Sequence, residues 1–295
     1  MNFAGIEAGG TKFICGVGSA TGEIFHSTTF ATTDPEMNIS QVIHYFQAIR
    51  SEFAYSRIGL ACFGPVDLNP LSGTYGHITS TPKSGWQNVN IKGALENALD
   101  TGVVMDTDVN AAALAEYTWG NARGKELVVY LTIGTGIGGG ILMKGVPMHG
   151  LLHPEMGHMR IRTDAVNEVY PGICPFHANC LEGLASGRAI QARWKLPAES
   201  IPPDHPAWKD EVVYLSEGIA NIILVLSPEV IILGGGVMQR TFLFPLIRNR
   251  VRELLNGYIE KKEILENIEE FILPAKLGGM AGLLGAIALA SGAGS

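Results

Sequence analysis

Apolar positions along the chain group into short runs and helical stripes that predict two successive α/β units. Residues 3–7 and 13–17 are strand-length apolar runs separated by Gly9-Gly10, and residues 23–30 predict a third strand. Residues 38–53 carry Ile39, Val42, Ile43, Phe46 and Ile49 at helical spacing. Residues 57–63 then form a buried strand that stops at Gly64-Pro65. After a loop-rich stretch, 69–90, the pattern predicts a helix at 91–99, a strand at 103–106 and a helix through 110–117.

The opening pattern then recurs. Residues 127–133 form a strand, Gly134-Thr135-Gly136 a turn, and residues 138–143 a second strand. A helix at 211–226, a strand at 230–233, a glycine turn at 234–236, a helix at 241–255, a strand at 271–273 and a last helix from about 279 to 290 follow. The repetition predicts a duplicated α/β fold of two lobes with a central cleft, where ligand sites tend to lie. The expected lobes are residues 1–117 and 118–280, with a C-terminal helix over 281–293 packing back on the first; residues 291–295 read as a frayed end.

Composition narrows the partners. The chain has 295 residues, of which 46% are hydrophobic and 17% charged, enough for a buried core and against disorder. The formal charge of −7, without a basic run, argues against nucleic acid, which calls for clustered Lys and Arg. The first seven residues lack a basic and then apolar leader, and the apolar stretch 283–290 is far short of the roughly 20 residues that span a bilayer. No membrane association and a cytoplasmic location are expected. Cys15 and Cys62 lie in apolar strands and read as buried free thiols.

Three groups of residues carry chemistry. Gly9-Gly10-Thr11-Lys12 joins two strands, so backbone N–H groups could face an anion, with a hydroxyl and an ammonium beside them. Gly134-Thr135-Gly136-Ile137-Gly138 repeats this in the second unit, and the matched turns predict a pair of phosphate clamps on one nucleotide. The plain reading of either turn is an ordinary hairpin, and neither has the helix-opening form of a Walker loop or a dinucleotide fingerprint. Gly234-Gly235-Gly236 offers a backbone without side chains against which a purine could rest; a plain strand-to-helix turn is the alternative.

Asp108, in Asp106-Thr107-Asp108-Val109-Asn110, stands where a strand gives way to a helix. A carboxylate there could take the proton of an attacking hydroxyl, and equally Asp108 or Asn110 could cap the helix. His158, Cys174, His177 and Cys180 supply four N/S ligands suited to a tetrahedral zinc (Zn2+) site within the segment 153–182; a Cys174–Cys180 disulfide or two free thiols are the alternatives. Glu155 and Glu182 flank that cluster and could accept hydrogen bonds from a sugar, or simply be solvated.

Together, the stretches 7–12, 106–110, 131–140, 155–158 and 233–237 resemble the ROK family of sugar kinases and sugar-responsive repressors, in the family's order over nearly the whole chain. The resemblance implies an actin-like, hexokinase-type fold using ATP and Mg2+, and a homodimer. It implies Asp108 as general base, a sugar held by Gly64, Asn110, Glu155, His158 and Glu182, and phosphates at Gly9–Lys12 and Gly134–Gly138. It puts adenosine beside Gly234–Gly236, and structural zinc on His158, Cys174, His177 and Cys180. Glu7, where the family often has Asp, Thr107, where it often has Asn, and His177, in place of a knot reading C-x-C-G-x-x-G-C, depart from its pattern. The stretches 63–67, 75–76 and 81–86 are most similar to the bacterial fructokinase branch, which implies fructose as substrate and fructose 6-phosphate as product. Glucose, mannose or an N-acetylhexosamine is the substrate alternative. A non-catalytic sugar sensor is the other class, and it would need a DNA-binding module that the sequence does not show.

Overall fold

The computed structural model describes residues 1–163 and 170–293, so the stretch 164–169 of the predicted zinc segment and positions 294–295 of the predicted frayed end lie outside the described residues. The strands are β1 (Asn2–Ala8), β2 (Lys12–Ser19), β3 (Ile24–Ala31), β4 (Ile58–Cys62), β5 (Val103–Thr107), β6 (Leu127–Ile133), β7 (Ile137–Met143), β8 (Val146–Pro147), β9 (Val230–Gly234) and β10 (Ile272–Pro274). The helices are α1 (Pro35–Ile49), α2 (Ile91–Leu99), α3 (Asp108–Trp119), α4 (Leu181–Ala185), α5 (Gly187–Trp194), α6 (Ala207–Leu226), α7 (Leu243–Leu255), α8 (Lys262–Leu265), α9 (Ile268–Phe271) and α10 (Ala281–Ser291). None of the described helices is long and apolar enough to cross a membrane.

Two five-stranded sheets carry the fold, in the orders β3-β2-β1-β4-β5 and β8-β7-β6-β9-β10. The second order repeats the first position by position. In both sheets the central strand pairs in parallel with the strand that follows the excursion, β1 with β4 and β6 with β9, and that strand pairs in parallel with the next, β5 or β10.

The chain forms two compact units. One comprises Met1–Glu126, Gly140–Pro154 and Gly279–Ser295, the other Leu127–Gly139 and Glu155–Gly278. The first unit thus takes residues 140–154, which the apolar pattern assigns to the second lobe. The reason is local: Gly140 lies so close to α3 that an added Cβ would stand 2.6 Å from the Val109 carbonyl.

In the first unit the strands alternate strictly and both faces are covered. Ala4, Ile6 and Ala8, Phe13, Cys15 and Val17, and Ile58, Leu60 and Cys62 point to one face, with Val42, Phe46, Ile91, Leu95 and Leu99 of α1 and α2 packed on them. Phe3 and Ile14 meet Leu283 and Ile287 of α10 on the other face, where Ala61 meets Ala111 of α3 and Ala286. Burial on both faces is why these strands read as near-continuous apolar runs. The C-terminal helix therefore belongs to the first sheet's core.

The second unit holds an acid in its core. Glu211 on α6 is 2% exposed, its Oε1 has no hydrogen-bond partner, and burial, then the nearby Asp210 charge, raises its pKa well above the usual carboxylate value. The folded protein thus keeps a proton that the unfolded chain releases near pH 4.5. This acid costs stability as pH climbs from there towards the folded pKa. Glu211→Gln is expected to match the parent near pH 4.5 and to exceed it by roughly 1–3 kcal/mol at pH 8. Urea melts at the two pH values check this; an equal offset at both would contradict the protonated-acid account.

Candidate active site

The first unit gathers its candidate residues by strand register. Ala8 of β1 pairs with Cys62 of β4, and Cys62 with Thr107 of β5, so three parallel strands end level. The segments that leave those ends are the Gly9–Lys12 turn, the loop opening at Gly64 and the start of α3 at Asp108. The carboxyl ends of parallel strands are the usual ligand edge of an α/β sheet.

The turn is tied at its base. Gly9 N–H donates to the Lys12 carbonyl (3.0 Å), and Thr32 Oγ1 donates to the Gly9 carbonyl (2.8 Å). The N–H groups of Gly10 and Thr11 donate to no acceptor among the described residues. They remain available to an anion, with the exposed Lys12 ammonium on the same turn.

At the head of α3 the capping expectation is corrected. Thr107 is the N-cap, its hydroxyl accepting from Asn110 N–H at 3.1 Å, and neither Asp108 nor Asn110 has that role. Asp108 is the first helical residue, half-buried, with Oδ1 accepting from Val109 N–H at 2.9 Å. It lies close enough to Cys62 for its charge to add to burial in raising that thiol. Relieved of capping, Asp108 stands at the strand edge as a carboxylate.

Asn110, expected at the sugar, is fully buried; its amide donates to Asp106 Oδ1 at 2.7 Å, and its own Oδ1 has no hydrogen-bond partner among the described residues. Its place is beneath the first turn of α3, where it fixes Asp106. That carboxylate also accepts from Thr107 N–H at 2.7 Å and lies 3.0 Å from His149 Nε2. The hydrogen bond that His149 donates to the Asp106 carboxylate raises the His149 pKa despite its partial burial, so His149 keeps its proton to higher pH than an ordinary imidazole. His153 behaves oppositely: burial lowers it, and its Nε2 accepts the Val66 N–H at 3.2 Å, just beyond the cis Gly64-Pro65 bond. Gly64 packs against this ring, where an added Cβ would meet His153 Cε1 at 3.1 Å. Neither histidine belongs to a recognisable spacing, so the sequence gives no warning of Asp106–His149 or of His153.

The second unit repeats the edge arrangement. Thr132 of β6 is level with Gly234 of β9, so the turn containing Gly134, Thr135 and Gly136, and the turn Gly234-Gly235-Gly236, leave adjacent strand ends. Gly235 has φ +90°, and a Cβ there would lie 2.4 Å from the Ile133 carbonyl, so glycine is required. Gly236 is open, and a 3-10 turn at Val237–Gln239 separates it from α7.

Glu182 is the unexpected link. Its Oε2 accepts from Ile137 N–H at 3.0 Å, between Gly136 and Gly138, fastening α4 to the turn. Glu155 precedes a 3-10 turn at Met156–His158. The protein packed around Glu155, and secondarily the Glu182 charge, push its carboxyl up to about 7, although part of the side chain stays open to water. Gly157 lets this turn seat on β7, for a Cβ would come 1.9 Å from the Ile137 carbonyl.

His158, Cys174, His177 and Cys180 converge, one ligand atom of each lying within 4.8 Å of all the others. His158 Nδ1 is 3.7 Å from Cys174 Sγ and 3.5 Å from Cys180 Sγ. Both cysteines are free and buried, so the disulfide alternative is not realised. Backbone bonds between Cys174 and Ala178 in both directions close the loop that presents them.

The ROK family model matches residues 3–293, and the chain belongs to the ROK family. It is 45% identical over 258 residues to a fructokinase of Lactococcus lactis subsp. cremoris, covering 88% of this chain and 87% of that protein. A fructokinase of Zymomonas mobilis subsp. mobilis is 37% identical over 97% of this chain and 95% of its own. Among solved structures, a ROK family glucokinase from Streptomyces griseus in complex with glucose and AMPPNP superposes with a TM-score of 0.77 at 25% identity, with 99% of this chain and 100% of that chain covered.

The seating of Gly157 is directly testable. Gly157→Ala is expected to lower stability by about 1–3 kcal/mol, because the Ile137 backbone has to move. Chemical denaturation checks this; an unchanged midpoint would contradict the close approach.

Proposed function

We propose that this protein is an ATP-dependent fructokinase, transferring the terminal phosphoryl group of ATP to fructose and forming fructose 6-phosphate and ADP. The observation that carries the reading is the level ending of β1, β4 and β5, which puts an N–H-lined glycine turn, the Gly64 loop and the Asp108 carboxylate along one edge. Kinship with curated fructokinases over most of the chain supplies the sugar.

In this reading Asp108 accepts the proton of the attacking hydroxyl, held in aim by its bond to Val109 N–H. The turns at Gly9–Lys12 and Gly134–Gly138 hold phosphate oxygens through backbone N–H groups, and Lys12 adds charge. Gly234, Gly235 and Gly236 flank the adenosine. Glu155, His158 and Glu182 take sugar hydroxyls, with Gly64 closing on the sugar through its backbone. Asn110 offers the sugar its unpartnered Oδ1 while its amide holds Asp106.

Mg2+ bound together with ATP would balance phosphate charge. Glu7 Oε2, buried without a hydrogen-bond partner at the end of β1, is the carboxylate oxygen suited to it. The His158, Cys174, His177 and Cys180 donor set suits structural zinc, two thiols and two imidazoles gathered around one point. Zinc bound there would order the Cys174–Cys180 loop and set His158 for the sugar. A homodimer is part of the reading, supported by the exposed Leu224 and Val225 on α6 and Leu246 on α7. Four free cysteines suit the cytoplasm.

Asp108→Asn is expected to fold normally and to lower kcat ~100-fold or more. Unchanged turnover would remove Asp108 from the role of base. Among fructose, mannose, glucose and N-acetylmannosamine offered separately, ADP release should be greatest with fructose by kcat/KM; another winner keeps the kinase and changes the sugar. Elemental analysis of the purified protein should find about one zinc per chain, lost in Cys174→Ala. A metal-free, fully ordered protein would overturn the zinc assignment.

A further inference from the structure

The loop that follows β4 carries a lysine directed at the first phosphate turn. Lys83 Nζ donates to the Gly10 carbonyl at 2.6 Å. Nothing about this contact is loose at its base. Trp86 is fully buried, its ring 5.6 Å from Phe13 and 5.3 Å from Phe63, and its Nε1–H donates to the Thr33 carbonyl at 2.9 Å. Thr81, only 2% exposed, accepts from Lys83 N–H through its hydroxyl, and its carbonyl accepts from Gln87 Nε2 at 3.0 Å. Thr79 N–H donates to the Pro65 carbonyl at 2.8 Å, fastening the returning loop to the segment that leaves β4.

The sheet order says where this loop delivers its charge. β4 lies between β1 and β5, so a loop leaving β4 emerges between the Gly9–Lys12 turn and Asp108. Lys83, further along that loop, brings its ammonium to the phosphate turn itself, at the Gly10 carbonyl. Lys83 makes no ion pair with a carboxylate among the described residues, and the Lys12 charge acts on Glu7, so two ammonium groups flank a turn in which the Gly10 and Thr11 N–H groups lack acceptors. A carbonyl oxygen is a weak partner for an ammonium compared with an anionic phosphate oxygen.

We propose that Lys83 is a further catalytic residue of this kinase, contacting the terminal phosphoryl group of the nucleoside triphosphate during its transfer. The proposal rests on the reading of the Gly9–Lys12 turn as a phosphate site. In the free protein the ammonium is held on the Gly10 carbonyl; with the triphosphate bound it turns to an equatorial oxygen of the terminal phosphoryl group, where charge is concentrated in the transition state. The sugar oxygen bonds to that phosphorus and the bond from the phosphorus to the bridging oxygen breaks, its electron pair staying with ADP. The hydroxyl proton goes to Asp108. Lys83 neither gives nor takes a proton.

The test compares the full-length parent with Lys83→Met, Lys83→Arg and Gly10→Val. A Cβ at Gly10 meets nothing within 4 Å and the residue has no positive φ, so Gly10→Val should fold while obstructing a phosphate. Lys83→Met is expected to lower kcat about 100-fold with little change in the KM for fructose, and Lys83→Arg to recover part of it. In calorimetric titrations Lys83→Met should bind AMPPNP about tenfold more weakly while binding ADP like the parent, because only the triphosphate carries the group it touches. A loop-stabilising lysine would move both affinities together, and that result, or an unchanged kcat, would overturn the proposal. If Gly10→Val loses both nucleotides and Lys83→Met keeps the parental preference between them, Lys83 alone is wrong. Parental binding of both nucleotides by folded Gly10→Val would overturn the phosphate-turn reading, and the proposal with it.

Discussion

The parallel pairing of β1, β4 and β5 is the constraint on which the first unit depends. Backbone hydrogen bonds fix Ala8, Cys62 and Thr107 at one level, and the alternation of side chains fixes which faces those strands bury. A slip of one residue in β4 would exchange Ile58, Leu60 and Cys62 with Gly59 and Ala61, placing apolar bulk where α10 and α3 now approach. The hydrophobic core thus sets the register, and the register sets the spacing of turn, loop and carboxylate. The second sheet is built on the same strand order, which explains why a glycine turn recurs beside Gly234.

Much of this was legible in the sequence, and for a physical reason. Strands buried on two faces and helices with one apolar stripe leave strong patterns, so α2 and β6 fall where the apolar positions put them. The turns are legible because glycine is needed at particular points, Gly235 being the plainest case. The His158, Cys174, His177 and Cys180 cluster shows itself by residue type, and their convergence follows from the short Cys174–Ala178 bridge.

The remainder depends on contacts far apart in sequence. Thr107, Asp108 and Asn110 are all capping residues by type, and only the end of β5 decides that Thr107 caps. That decision makes Asp108 the first helical residue and buries Asn110, which no local pattern could reveal. The Asp106–His149 pair spans 43 positions, and His153 reaches Val66 across 87. The helices α4 and α5 are too short to show a stripe, and α4 packs closely on the preceding loop only because Gly183 fits beneath the Ala178 carbonyl. Lys83 belongs to a stretch that reads as a family marker in the sequence; its chemistry emerges only when Trp86 is seen wedged against Phe13 and Phe63.

The bond between Glu182 and Ile137 N–H has a consequence for how the second unit moves. Glu182 lies two residues after Cys180, so the glycine turn at the head of β7 is anchored to the Cys174–Cys180 loop as well as to its own strands. Local openings in a protein occur in cooperative blocks, and a shared carboxylate joins two segments into one block. The amide of Ile137 can exchange with solvent only when α4 lets go, so the persistence of that turn is set by the loop that carries the four sulfur and nitrogen donors. A disturbance at those donors would be felt first in the hydrogen-exchange lifetime of the turn, ahead of any loss of the sheet behind it.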